Sequence, residues 1–217
     1  MSTTSEEQYL RQQVVDTARL LTSSGLSVGK SGNVSVRFNS GMLITPSAVE
    51  YDKLSLEDIV YMENGVEEVA AKFAPSSEWR FHEAILQSRQ DVNAVIHAHA
   101  TYCTALACVG RAIPAFHYMV AIAGGDDIPL ADYALYGTDE LSDYVVDVLR
   151  GRNACLMANH GMLAISHDLH SAFNLAIEIE NLAKQYSVAL KLGEPKLLSD
   201  KQMIEVIEKF KHYGQRV

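Results

Sequence analysis

The chain has 217 residues, 48% hydrophobic and 21% charged, which suits one globular domain with a sizeable core. A net charge of −9 excludes the basic footprint of a nucleic-acid binder but leaves room for a local anion site. No apolar run approaches the roughly 18 residues of a membrane span, and the opening "MSTTSEEQYLRQQ" lacks the basic and apolar regions of a signal peptide.

In chain order, Ser5 can cap a first helix whose apolar residues Leu10, Val14, Ala18 and Leu21 recur at helical spacing, with Gly25 placed to end it. "NVSVRF", a turn at "NSG" and "MLITP" read as a hairpin over 33–46, and "IVYME", "NG" and "VEEV" as another. A helical pattern covers about 77–89. The strand holding "VIHAHATY" follows, then a short helix near 101–109. "TDELSDYVVDVLRG" is a capped helix, and "ACLMANHGMLAIS" is a strand pair or a strand bent at Gly161. Helices over about 168–192 and 200–212 complete the chain. Hairpins mixed with helices predict one α/β domain over 1–217, with a mostly antiparallel central β-sheet flanked by helices. Cys103, Cys108 and Cys155 form no C-x-x-C pair and read as buried thiols in a reducing compartment, so the expected location is cytoplasmic. Neither a membrane nor a nucleic-acid partner is expected.

His97 and His99 stand at i and i+2 of a strand, so both imidazoles point to one spot. A zinc site needs three or four N, O or S ligands. His160, beside Gly161, can supply a third, and Glu78 can be a fourth ligand or a nearby base. Taken singly, each has an ordinary structural reading, as a hydrogen-bonded core histidine or a solvated residue at a helix start. His82 shares a helix face with Glu78 at i, i+4 and reads as supporting or structural. His167 and His170 sit at a helix start and read as solvated. "SGN" at 31–33, "TPS" at 45–47 and "PSS" at 75–77 offer hydroxyls and free N–H groups that can bind an anion, though each alone is a common turn. No Walker or dinucleotide glycine motif is present.

Together, "SGNVSVR", "GMLITP", "PSSEWRFH", the H-x-H pair, "HYM" with "AGG", "HG" and "KFKHYG" resemble the class II aldolase/adducin family, in its L-fuculose-1-phosphate aldolase branch. The resemblance runs along nearly the whole chain. It implies that His97, His99 and His160 are zinc ligands, and that Glu78 is the acid/base, able to take the fourth zinc position when substrate is absent. It places the substrate phosphate at Gly32 and Asn33, Ser47 and Ala48, and Ser76 and Ser77. Tyr118 matches the tyrosine that reaches a neighbouring subunit's site, Tyr213 matches the C-terminal tyrosine of that site, and Tyr136 lines the aldehyde pocket. A four-fold homotetramer with sites between subunits is implied too.

The implied reaction is cleavage of a ketose 1-phosphate to dihydroxyacetone phosphate and a small aldehyde. Breaking C3–C4 leaves an enediolate whose charge needs a Lewis acid, which zinc would supply. Glu78 would protonate C3 and a tyrosine would relay the O4 proton. Compared with the usual fuculose-phosphate pattern, Ala48 replaces a glycine, Asn159 stands where a second histidine is common, and Tyr136 replaces a phenylalanine. The added phenol makes the aldehyde end more polar and brings 5-deoxyribulose 1-phosphate and 5-methylthioribulose 1-phosphate in beside L-fuculose 1-phosphate as substrates. Two rivals remain, a pentulose-5-phosphate 4-epimerase with the same histidines and an adducin-like structural module without metal.

Overall fold

In the computed structural model, which describes residues 5–68 and 71–210, the first helix α1 (Ser5–Ser23) buries Val14, Val15, Ala18 and Leu21 along one stripe. The 3.6-residue period puts them on a single face. The chain then forms β1 (Asn33–Phe38) and β2 (Gly41–Ile44), followed by β3 (Val60–Glu63) and β4 (Val66–Glu67). Asn64 and Gly65 both take positive φ, 51° and 74°, which is the twist a two-residue hairpin turn requires.

Next come α2 (Trp79–Ser88), β5 (Ala94–Ala98), α3 (Thr101–Cys108) and β6 (Leu130–Ala131). The rest is α4 (Asp139–Val148), β7 (Ala154–Met157), β8 (Gly161–Ser166), α5 (Leu169–Leu192) and α6 (Asp200–Phe210). Thr138 caps α4 by accepting from the Leu141 N–H, and Asp168 caps α5 by accepting from the Ser171 N–H.

Among the described residues, eight strands lie in the order β4-β3-β2-β1-β5-β8-β7-β6, with every neighbouring pair antiparallel except β6 and β7. One face, with Val34, Ile96, Ala98 and Ala164, packs on α1, α3 and α5; the other, with Ile44, Val95, Leu163 and Ile165, packs on α2 and α4. Burial on both faces makes the central strands read as apolar runs, and a fully buried Leu or Ile contributes roughly 1.5–3 kcal/mol. The expected α/β architecture with a mostly antiparallel sheet is therefore what the chain forms.

Of the two readings of "ACLMANHGMLAIS", the strand pair is the one that forms. Several other details differ from the sequence reading. α2 starts at Trp79 rather than 77, because residues 76–78 form the turn that enters it. Three 3-10 turns, at Tyr51–Lys53, Leu56–Asp58 and Tyr118–Ala123, and the two-residue β6 were not foreseen. Cys108 is exposed, whereas Cys103 and Cys155 are buried as expected. The end of the predicted 200–212 helix lies outside the described residues. No helix among the described residues is long and apolar enough to cross a membrane.

Candidate metal centre and active site

Sheet register brings three histidines to one end of β5. His97 lies on β5 opposite Leu163 of β8, and β7 and β8 are joined by a short turn in which His160 directly precedes Gly161. Asn159, at φ 54°, supplies the left-handed residue that this turn needs. His99 stands just past the end of β5. The ring centroids are 4.8 Å apart for His97–His99 and His97–His160, and 5.1 Å for His99–His160. One ligand atom from each residue lies within 4.8 Å of the others, so the triad is positioned to bind a metal.

Gly161 makes the approach possible. A Cβ there would lie 2.5 Å from the Ala98 carbonyl oxygen, 3.0 Å from His99 Cδ2 and 3.2 Å from His97 Cε1. Gly32, at φ 83°, has a similar constraint, since its Cβ would sit 2.7 Å from both the His97 carbonyl oxygen and Ser27 Oγ.

The His97 ring is fully buried, and its Nδ1–H donates to the Met162 carbonyl at 3.0 Å. That bond fixes the tautomer and leaves the Nε2 lone pair facing the other two rings. Burial, ahead of an opposing pull from Glu78, lowers the His97 pKa to about 3, and burial also lowers that of His99. Both are neutral near pH 7, as metal ligands must be.

Glu78 sits at the entry of α2, with its carboxylate oxygens 3.1 Å from His160 Nε2 and 3.3 Å from His97 Nε2. Asn33 Nδ2 donates to Glu78 Oε2 at 2.9 Å. Burial would push the Glu78 carboxyl up, but His97, His160 and the Asn33 bond outweigh it and hold the group below the usual carboxylate range. Glu78 Oε1 and His97 Nε2 are buried with no hydrogen-bond partner among the described residues. A buried polar atom left unpaired costs ~1–3 kcal/mol, and a divalent cation seated among three imidazoles and this carboxylate would satisfy both. The donor set, three nitrogens and an oxygen, suits zinc.

A cleft of about 300 Å³ opens over this group, lined by Ser77, Glu78, His99, Tyr133, Tyr136, Asn159 and His160. His99 is the exposed member of the triad, so the metal position faces the opening. Tyr133 was not singled out, since it belongs to no recognisable motif; Asn159 was noted only as a departure beside His160, not as a lining residue.

The three anion-site stretches are laced together. The Thr45 hydroxyl accepts from the Val34 N–H, Ser76 N–H donates to the Thr45 carbonyl, and Ser47 N–H donates to the Ala74 carbonyl. Ser47 Oγ donates to the Pro75 carbonyl at 2.7 Å, Ala48 takes φ 62°, and Ser76 Oγ accepts from the Glu78 N–H. The Tyr51 hydroxyl donates to the Gly32 carbonyl. The Asn33 side chain bonds Glu78 through one amide N–H and His82 through its oxygen. Tyr118 is 51% exposed and does not line the cleft, and Tyr213 lies outside the described residues.

The family model for the class II aldolase and adducin N-terminal domain matches residues 12–187. The chain belongs to that family. As a class II aldolase/adducin member it is 50% identical over 205 residues to a 5-methylthioribulose-1-phosphate/5-deoxyribulose-1-phosphate aldolase of Rhodospirillum rubrum, covering 94% of this chain and 92% of the relative. It is 47% identical over 213 residues to the L-fuculose phosphate aldolase of Escherichia coli K12, covering 98% and 99%. A solved L-fuculose 1-phosphate aldolase superposes with a TM-score of 0.90 at 42% identity, covering 96% of this chain and 98% of that one. Within the family frame, the histidine triad and Glu78 occupy one end of the shared sheet rather than scattered surface positions.

Proposed function

We propose that this protein is a zinc-dependent class II aldolase. Its reaction is cleavage of a ketose 1-phosphate into dihydroxyacetone phosphate and a small aldehyde. The substrate is L-fuculose 1-phosphate, 5-deoxyribulose 1-phosphate or 5-methylthioribulose 1-phosphate. One observation carries this reading: a buried carboxylate within 3.3 Å of two of three clustered histidines, at the floor of an open cleft. Near-full-length similarity to aldolases of these sugar phosphates supports it.

His97, His99 and His160 would hold the cation, with Glu78 as a fourth ligand in the absence of substrate. The bound cation supplies a Lewis acid for the negative charge that develops as C3–C4 breaks. The proton leaving O4 would be relayed by a tyrosine hydroxyl that passes its own on, with Tyr118 and Tyr213 supplied across a subunit interface. Glu78, ionised and oriented by Asn33, would take up the relayed proton and return it to C3 after the bond has broken. The turns at Gly32–Asn33, Ser47–Ala48 and Ser76–Ser77 bind the phosphate through backbone N–H groups and hydroxyls. Tyr136 lines the aldehyde end.

The exposure of Tyr118 away from its own cleft supports a homotetramer in which each site is completed by a neighbour. The whole of 1–217 is taken as one class II aldolase-like domain. Three free thiols support a cytoplasmic setting.

The test is to incubate zinc-loaded protein with L-fuculose 1-phosphate, 5-deoxyribulose 1-phosphate and ribulose 5-phosphate. Dihydroxyacetone phosphate is expected from the first two and not from the third. Epimerisation of ribulose 5-phosphate without cleavage of the others would overturn the aldolase reading. A protein that binds no metal and turns over nothing would point to a structural module.

A further inference from the structure

Asn33 stands between Glu78 and a histidine that touches neither the cleft nor the metal position. Its Nδ2 donates to Glu78, and its Oδ1 accepts from His82 Nε2. On the far side of that ring, His82 Nδ1 lies 2.7 Å from Ser35 Oγ. All four side chains are buried: Ser35 and His82 completely, Asn33 to 3% and Glu78 to 7% exposure.

Chemistry fixes the direction of every link. The ionised carboxylate only accepts, so Asn33 turns its amide nitrogen to Glu78 and its oxygen to the imidazole. That oxygen also only accepts, so His82 carries its proton on Nε2. Nδ1 is then an acceptor, and the Ser35 hydroxyl donates to it. Reversing any link sets two acceptors or two donors face to face where no water can intervene.

The fold holds the line in place. Asn33 and Ser35 are i and i+2 on β1, so they share a face, and Asn33 pairs directly across from His97 of β5. His82, on α2, is stacked against Phe81 with centroids 4.8 Å apart at 23°, and Phe81 packs edge-on against His97.

We propose that His82, oriented by Ser35, is a positioning residue for Glu78. It sets the flip state of the Asn33 amide and thereby the placement in which the Glu78 carboxylate faces the histidines and the cleft. Without a donor at the Nε2 position, Asn33 is free to present its oxygen to the carboxylate and displace it. This inference rests on the reading of Glu78 as the acid/base.

The experiment measures kcat and KM for cleavage of 5-deoxyribulose 1-phosphate by the zinc-loaded protein and three variants. His82→Leu removes the donor and should lower kcat about 10–100-fold, the size expected for an outer-shell partner, with KM and bound zinc near wild type. His82→Gln keeps a donor at that position and should regain most of the loss. Ser35→Ala, which deletes one oxygen and carries the kinetic test should His82→Leu not fold, should lower kcat by a smaller factor. A wild-type kcat in His82→Leu or in Ser35→Ala would overturn the proposal. So would a His82→Gln protein as slow as His82→Leu, which would mean that the ring only packs.

A second readout does not depend on turnover. Ring nitrogen NMR of the metal-free protein should show His82 as the Nε2–H tautomer beside His97 as Nδ1–H. His82 as Nδ1–H would contradict the relay. If wild-type protein cleaves no ketose 1-phosphate, the aldolase reading fails, while the tautomer result still decides whether this line of hydrogen bonds exists.

Discussion

Glu78 lies within reach of two metal-site histidines and of the cleft, so it is asked to be both a ligand and an acid/base. Glu78→Gln nearly preserves shape and removes the proton carrier. Bound zinc, measured by elemental analysis, should stay near wild type, while turnover should drop by ~10²-fold or more. Turnover near wild type would assign the C3 proton to another group. Tyr136 makes a different kind of prediction. The residue is 62% exposed and lines the cleft, and closing a substrate over its hydroxyl leaves that group unpaired unless a polar group or water is within reach. Tyr136→Phe should therefore shift the ratio of kcat/KM values a few-fold from 5-deoxyribulose 1-phosphate toward L-fuculose 1-phosphate. An unchanged ratio would remove Tyr136 as the selector. Ala48 holds φ 62°, a conformation that costs a Cβ-bearing residue ~1–2 kcal/mol. Ala48→Gly should relieve that strain and raise the urea midpoint, less the entropy that glycine adds to the unfolded chain.

At the scale of elements, the site depends on β5 and β8 ending beside each other with nothing between them at Gly161. A methyl group there collides with the Ala98 carbonyl, a backbone atom that cannot swing away. Gly161→Ala should spread His160 from His97 and His99 and weaken zinc binding by at least tenfold, read by competition with a chelator. Tight zinc binding by that variant would show that the turn adapts. The long helices, the β1–β2 and β3–β4 hairpins and the H-x-H strand were legible because each carries its own period or turn chemistry. The two-residue β6 and the 3-10 turn at Tyr118–Ala123 are not, since neither is long enough to show a period and both are set by what they pack against. Of the residues brought together here, His97 and His99 were legible as a same-face pair on a strand, while His160 and Glu78, each ordinary alone, were picked out with them by the family resemblance. The Asn33–Glu78 bond was not legible, because it joins residues 45 positions apart, one on β1 and one at the entry of α2. Cys108 was read as buried from its residue type, yet it ends α3 on the solvent side.

For the molecule as a whole, two imidazoles are buried in neutral form. His82 and His97 are both lowered to about 3, burial being the leading cause in each, against an unfolded value near 6.5. Between those values the unfolded chain binds more protons than the folded one, so stability falls as pH falls. Glu78, also depressed, acts in the same sense below the ordinary carboxylate range. The urea midpoint of metal-free protein should be level above pH 7 and decline steadily from about pH 6.5 downward. A midpoint that is flat from pH 7 to pH 5 would mean that these rings are not buried as described. The central claim, that a metal held by three histidines at the cleft floor drives aldol cleavage, is tested most directly by titrating zinc into metal-free protein. Bound zinc and release of dihydroxyacetone phosphate from 5-deoxyribulose 1-phosphate or L-fuculose 1-phosphate would be followed together. Activity should rise in proportion to bound zinc and level off at one ion per chain, and His97→Ala should show neither. Full turnover by metal-free protein, or by His97→Ala, would contradict the account.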